Sequence, residues 1–348
     1  MIALDEVPLA DEEHDRAHMD LWISDFGACA LSAADVLGLF NALVDGGRTA
    51  ETLAGQLRLD ARAVHATCRA LVAMGVLSSD RDTFELTPPA RLFWVETSPT
   101  YRGREFHRHR GWEQHERIVE TLRAGWAPLL DTEASFTDAW RRGEVSVESA
   151  QNFTRVMHSM ILTPSLAAVR SGAFADVRHL VDVGGGSGAL AAALVAHQPG
   201  CRATVMDLEP VCAASREILA EIRSGAAVAY HVANFFDDPW PTDADAFCLS
   251  NILHDWPVPT GREILARAFA ALLPGGHLFV HEALLNDDRT SPRMTALFNL
   301  LMCMNHRGQQ FTRGDLFGLL EEQGLCNPRV VSTYSHWSVV AADKPAAR

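Results

Sequence analysis

No apolar run in this chain reaches 18 residues, so no transmembrane helix is expected. The amino terminus also lacks the basic start of a secretory signal, since Asp5, Glu6, Asp11, Glu12 and Glu13 put acid there. A cytoplasmic location is the expectation. Lys and Arg number 30 against 44 Asp and Glu, and no basic block locally offsets the net charge of -14. Electrostatic binding to nucleic acid or to an anionic membrane is therefore not expected. The seven cysteines (29, 68, 201, 212, 248, 303, 326) are odd in number and lack C-x-x-C spacing. They read as reduced thiols in apolar settings rather than as a disulfide framework or a zinc knuckle. No internal repeat or low-complexity segment is visible, and 348 residues make about two domains with a full core.

What the chain does have is a glycine turn in a telling place. His179-Leu-Val-Asp-Val-Gly-Gly-Gly-Ser-Gly188 is an apolar run meeting glycines, and an alanine- and leucine-rich helix follows from Ala189 to Ala196. A first strand turns this way into its helix beneath a nucleotide-like ligand. Asp207 lies 19 residues past Gly188, at the expected end of a second strand, where a carboxylate can accept from ribose hydroxyls. The pattern is G-G-G-S-G rather than G-x-G-x-x-G, which favours S-adenosylmethionine over a dinucleotide; the plainer alternative is a strand-turn-helix whose glycines serve only the backbone. A second run, Phe247-Cys-Leu-Ser-Asn-Ile-Leu-His-Asp-Trp256, reads as a buried strand that delivers His254 at the carboxyl end of the sheet.

Residues 33 to 90 have a winged-helix rhythm. One apolar helix is expected from Ala33 to Leu43 and a second after Thr49. A third, capped by Asp60, puts Val64, Cys68, Leu71 and Val72 on one face and ends at Gly75. Phe84-Glu-Leu-Thr87 then reads as a wing strand closed by Pro88-Pro89. The third helix carries only Arg62 and Arg69 as firm cations, too little charge for a free-standing DNA reader. Farther on, Phe153, Met157 and Met160 share one helix face, as core stripes do, and the cluster Phe106-His-Arg-His-Arg110 reads as a solvated face, with one arginine holding an acceptor's carboxylate as the alternative. From about 170 strands are expected at 179-183, 203-207, 228-232, 245-250, 277-284, 328-334 and 336-342, making a doubly wound α/β sheet.

With these segments in view, the chain resembles the plant-type S-adenosylmethionine-dependent O-methyltransferases, the caffeate and acetylserotonin family, in their bacterial natural-product branch. VDVGGGSG, MDLEPV, ANFFDDPWP, LSNILHDW, LLPGGHLFVHEALL and GQQFTRGDLFGLLEEQGL run in the family order across residues 180 to 325. The resemblance implies a class I methyltransferase Rossmann-like domain at 169-348. It implies a winged-helix dimerisation domain at 1-100 and a helical connector lining the acceptor pocket at 101-168. It further implies a homodimer that methylates a phenol or enol of a small secondary metabolite, with His254 as base and Asp255 and Glu282 beside it. The cofactor would be held by Asp182, Gly184, Gly186, Asp207, Leu208, Asn234, Phe235 and Ser250. The acceptor would meet Phe153, Met157, Met160, Trp256, Phe298, Met302 and His306.

Several positions depart from the family. The second carboxylate that flanks the base aligns with Gln310, the aspartate expected near the adenine is Asn234, and the lysine expected four residues before the base is Ser250. His306 is a further oddity. With His254 and Asp255 it would make a two-histidine, one-carboxylate face for Fe(II) or Zn(II), suited to C-methylation of an arylpyruvate-type or branched-chain 2-oxo acid. A repurposed, non-methylating family member is a further alternative. The sequence does not identify the acceptor.

Overall fold

The computed structural model describes residues 1–125 and 136–347; the side chains of Phe136 and His306 lie outside the described residues. The chain forms two compact units, neither of them one continuous segment. The first comprises residues 1–15, 137–284 and 313–348, and the second comprises 16–136 and 285–312. The boundaries expected near residues 100 and 168 therefore do not mark the compact units. A helix late in the chain, Arg293–His306, belongs with the amino-terminal part, because its apolar face (Met294, Leu297, Leu300, Met304) is buried and it packs on the helix Ala61–Ala73.

The first unit is built on a seven-stranded sheet. Its strands in chain order are β1 (His179–Val183), β2 (Arg202–Asp207), β3 (Ala229–Val232), β4 (Ala246–Ser250), β5 (His277–Ala283), β6 (Cys326–Tyr334) and β7 (Trp337–Asp343). Their spatial order is β3-β2-β1-β4-β5-β7-β6. The first five run parallel, and β7 is antiparallel to both β5 and β6. All seven expected strands are present within a residue or two. β1 is buried at every position, as a strand covered on both faces must be, and the helix Ala189–His197 covers it with Leu190, Ala191 and Leu194. Strand order reverses between β1 and β4, so the crevice for a ligand opens at the carboxyl ends of those two strands.

The second unit holds a three-stranded antiparallel sheet (Arg48–Thr49, Leu77–Asp80, Thr83–Leu86) and the helices Ala50–Leu57 and Ala61–Ala73. Thr49 and Asp60 cap these helices, accepting from the backbone N–H of Thr52 and of Ala63. Val64, Cys68 and Leu71 are fully buried, whereas Val72 is only half-buried. The helix expected at 33 to 43 is instead Ser24–Val36, followed by a short 3-10 turn at Asn41–Leu43. Gly38 at φ +78° sits between the two, a left-handed backbone that ends an α-helix.

Candidate active site

The glycine turn after β1 is tied to β2 by its own backbone. Gly184 N–H donates to the carbonyl of Met206 at 2.8 Å, and Gly186 N–H donates to Asp207 Oδ2 at 3.0 Å. Gly184, Gly186 and Gly188 all have positive φ. A Cβ on Gly184 would come within 2.4 Å of Ile252 Cδ1, whereas one on Gly186 would meet only the Gly184 carbonyl oxygen at 3.9 Å. The turn is thus pressed against the loop after β4 at its first glycine and open at its third.

Two buried carboxylates stand under this turn. Asp207 Oδ1 accepts from Leu208 N–H at 2.8 Å, yet burial still pushes its carboxyl up to about 6, against the opposing pull of those N–H donors. Burial, and then the charge of Asp207, push Asp182 up to about 7, and its Oδ1 has no hydrogen-bond partner. Each carboxylate is held where ionising it costs free energy unless a donor or cation arrives. Such a pair, under a glycine turn at the switch point, suits a ligand with ribose hydroxyls and a positive centre, as S-adenosylmethionine has.

His254 lies in the 3-10 turn Leu253–Asp255, one step beyond β4. The chain makes that turn through Asn251, whose left-handed backbone (φ +52°) is held by its N–H to the His281 carbonyl at 2.9 Å and by Trp337 Nε1 donating to Asn251 Oδ1 at 3.1 Å. His254 is buried, and its Nδ1 stands 3.1 Å from Oε2 of Glu282, which is fully buried. The His254 backbone N–H donates to the other oxygen, Oε1, at 3.3 Å. Nε2 faces the other way, 3.5 Å from Asp255 Oδ1. A carboxylate this close to Nδ1 stabilises the imidazolium once a proton is taken. The three residues expected to do the proton chemistry are thus brought together.

Other expected residues are distributed less simply. Phe235, Phe236 and Trp256 form one aromatic cluster: Trp256 meets Phe236 edge-on at 4.7 Å and Phe235 at 6.5 Å, and the Arg141 guanidinium lies over the Phe236 ring at 4.5 Å. Asn234 Nδ2 donates to the Arg141 carbonyl at 2.7 Å and its Oδ1 accepts from Phe236 N–H at 3.0 Å, so the amide is engaged with the protein's own backbone. Leu208 packs with Val145, Ala150 and Val211. Ser250 Oγ lies 3.1 Å from Nδ1 of His281, a fully enclosed imidazole that burial pushes down to about 4. Phe153, Met157 and Met160 are half-buried on the helix Val147–Arg170, with Phe153 edge-on to Trp140 at 5.3 Å.

Phe298 and Met302 belong to the second compact unit, both buried, with Phe298 edge-on to Trp22 at 5.8 Å. Gln310 belongs there too and is buried, its backbone N–H donating to Asn299 Oδ1 at 2.8 Å. The side chain of His306, on which the expected metal face depended, lies outside the described residues. Among the described residues no group of three or more His, Cys, Asp or Glu is placed to hold a metal.

One contact at the turn escaped the sequence. His158 Nδ1 lies 3.0 Å from Oγ of Ser187, inside the glycine turn, although the two residues are 29 apart in the chain. Only its helical position, one residue past Met157, put it on offer.

The family model described as an O-methyltransferase domain matches residues 129–326. A 3-hydroxy-5-methyl-1-naphthoate 3-O-methyltransferase of Streptomyces sahachiroi is 31% identical over 306 residues, which cover 86% of each chain. An N,N-dimethyltransferase of Streptomyces rimosus is 29% identical over 301 residues, with the same coverage. The crystal structure of an O-methyltransferase family 2 protein from Planctomyces limnophilus, in complex with apigenin, superposes with a TM-score of 0.83 at 25% identity over 99% of both chains. The chain belongs to this O-methyltransferase family and is an S-adenosylmethionine-dependent methyltransferase.

Proposed function

We propose that the enzyme methylates a hydroxyl oxygen, phenolic or enolic, on a small aromatic secondary metabolite. The observation that carries this reading is His254 buried between Glu282 and Asp255 at the end of β4. S-adenosylmethionine, when bound, supplies a methyl group that is already strongly electrophilic. The protein's own residues then have two tasks: to orient the acceptor and to take its proton. A phenol is only ~0.1% ionised at neutral pH, so a base placed at its oxygen is worth roughly 10² to 10⁴ in rate. His254 Nε2 takes that proton, and Glu282 on Nδ1 holds the ring and balances the new charge. On the same reading Asp207 accepts from the ribose hydroxyls, Asp182 faces the positively charged end of the cofactor, and Phe235 with Trp256 walls the site. The Streptomyces sahachiroi relative supports the reading through its name, a 3-O-methyltransferase of a hydroxynaphthoate.

Two further features belong to this proposal. The second unit exposes Leu21, Trp22, Leu92, Phe93 and Trp112, an apolar set that suits the homodimer the family resemblance implies. No described helix is long and apolar enough to cross a membrane, and a cytoplasmic enzyme is consistent with that. The test is a methyl-transfer screen of hydroxyarenes and 2-oxo acids with wild-type enzyme, His254→Gln and chelator-treated enzyme. Transfer to a hydroxyarene that is lost in His254→Gln and survives chelation supports the proposal. Transfer only to a 2-oxo acid, lost on chelation and restored by Fe(II) or Zn(II), would replace it with the metal-dependent C-methylation reading. Binding of S-adenosylmethionine with no transfer at all would leave a repurposed member.

A further inference from the structure

Arg62 and Arg69, the two cations of the helix Ala61–Ala73, turn into their own unit. Arg62 Nη2 donates to the carbonyls of Gly125 at 2.9 Å and Cys303 at 3.2 Å, with Nη1 3.4 Å from that of Gly308. Arg69 donates to the carbonyls of Asp288 and Arg81, each at 3.0 Å, and to Asp82 Oδ1 at 2.8 Å. Both side chains line one cavity of about 120 Å³, together with His65, Arg289 and Asn299. All five residues fall in the second compact unit, so the cavity is a feature of that unit alone.

The charge of Arg69 at this cavity is poorly balanced. Carbonyls satisfy hydrogen bonds but leave a guanidinium's charge in place, and the carboxylate paired with Arg69 is 71% exposed while the Arg69 side chain is only 8% exposed. Arg69 Nε is buried and has no hydrogen-bond partner. The neighbouring His65 responds to the same field: burial, and next the charge of Arg69, hold its imidazole below the ordinary value. An unpartnered N–H on a buried cation calls for an acceptor with negative charge, because a donor left unmade in that setting carries a full desolvation cost. The cavity is several times the ~15 Å³ needed to hold a single water.

We propose that this cavity is a binding site for a small oxyanion, of phosphate or sulfate size, held by Arg62, Arg69 and Arg289. A planar guanidinium presents paired N–H donors that match two oxygens of such an ion. The proposal does not depend on which acceptor the enzyme methylates.

The test is calorimetric titration of inorganic phosphate into full-length enzyme at low salt, with the cofactor site first filled by S-adenosylhomocysteine. Saturable binding with a dissociation constant of ~1 mM or tighter is expected, weakened at least about tenfold by Arg289→Gln and by Arg69→Lys. A far-ultraviolet melting curve checks that each variant is folded; if Arg69→Lys is not, Arg289→Gln decides. A crystal soaked in selenate should show its anomalous peak between Arg69 and Arg289. Parallel titration with sodium acetate separates sources: competition by acetate means the site reads a carboxylate carried on a larger ligand, and indifference means a free tetrahedral anion. Absence of saturable binding, equal binding by wild type and Arg289→Gln, or a selenate peak elsewhere overturns the proposal.

Discussion

Asp207 and Asp182 carry the sharpest prediction at the scale of single residues. Unfolded carboxylates titrate near ~3.9, whereas these two are held at about 6 and about 7 by burial. Between those values the native protein keeps protons that the unfolded chain has already released, so stability falls as pH rises. Without cofactor, the melting temperature should therefore drop from pH 4 towards pH 7 on account of this pair, and Asp182→Asn should flatten that slope; an unchanged slope would show that Asp182 does not titrate there. A ligand that needs ionised Asp207 has the opposite dependence. Its affinity should rise with pH and its binding should release protons, which calorimetry in buffers of different ionisation enthalpy detects near pH 6. Asp207→Asn removes a charged acceptor worth roughly 1.5 to 3 kcal/mol, and cofactor affinity should fall at least about tenfold. For the base, Glu282→Gln should lower kcat with little effect on cofactor affinity; an intact kcat would remove Glu282 from the proton chemistry. Strand patterning put Asp207 and His254 at the carboxyl end of the sheet and the family resemblance added Glu282, and the fold brings His254 and Glu282 within 3.1 Å of each other. The contacts of His158 and the Asn234 amide were not legible in the sequence, because their partners Ser187 and Arg141 are distant in the chain and only the fold brings them near.

At the scale of elements, the strands were legible because each is a short apolar run bounded by turn residues, and all seven lie within two residues of expectation. The amino-terminal helix was misplaced by about nine residues, since the apolar stretch from Phe26 to Leu43 offers many registers and the break depends on a single left-handed glycine, Gly38. The glycine turn permits a direct comparison of two neighbouring positions. Alanine at Gly184 must tolerate φ +63° and also a contact of 2.4 Å with Ile252 Cδ1, while alanine at Gly186 faces φ +54° and open space. Left-handed strain costs about 1 to 3 kcal/mol at either site, and only Gly184 adds a clash. Gly184→Ala should therefore lower the melting temperature more than Gly186→Ala does. It should also displace the loop that carries Ile252 and His254, reducing kcat as well as cofactor affinity. Equal melting temperatures for the two variants would show that the loop yields freely.

For the whole molecule, the sequence pointed to segments where the fold makes discontinuous units. Residues 285–312 leave the sheet after β5 and join the amino-terminal unit before the chain returns at 313. Local periodicity could not reveal this, because it marks which face of Arg293–His306 is apolar without naming the surface that buries it. The same blindness applies to assembly. The net charge of -14 argues against nucleic acid as the partner of the second unit, and its inward-turned Arg62 and Arg69 offer a duplex little. That unit also exposes large apolar side chains: Leu21 is 73% exposed and Leu92 is 54% exposed. Side chains of this size are left in water at a cost of about 1.5 to 3 kcal/mol each unless something covers them, and a second copy covers them twice over by symmetry. Light scattering at micromolar concentration should give twice the 38.1 kDa chain mass. Leu21→Glu combined with Leu92→Glu should shift the protein towards monomer while leaving cofactor affinity intact, because neither residue lies in the unit that carries Asp207. A wild-type monomer, or a dimer indifferent to both substitutions, would mean that these exposed residues do not form the dimer interface.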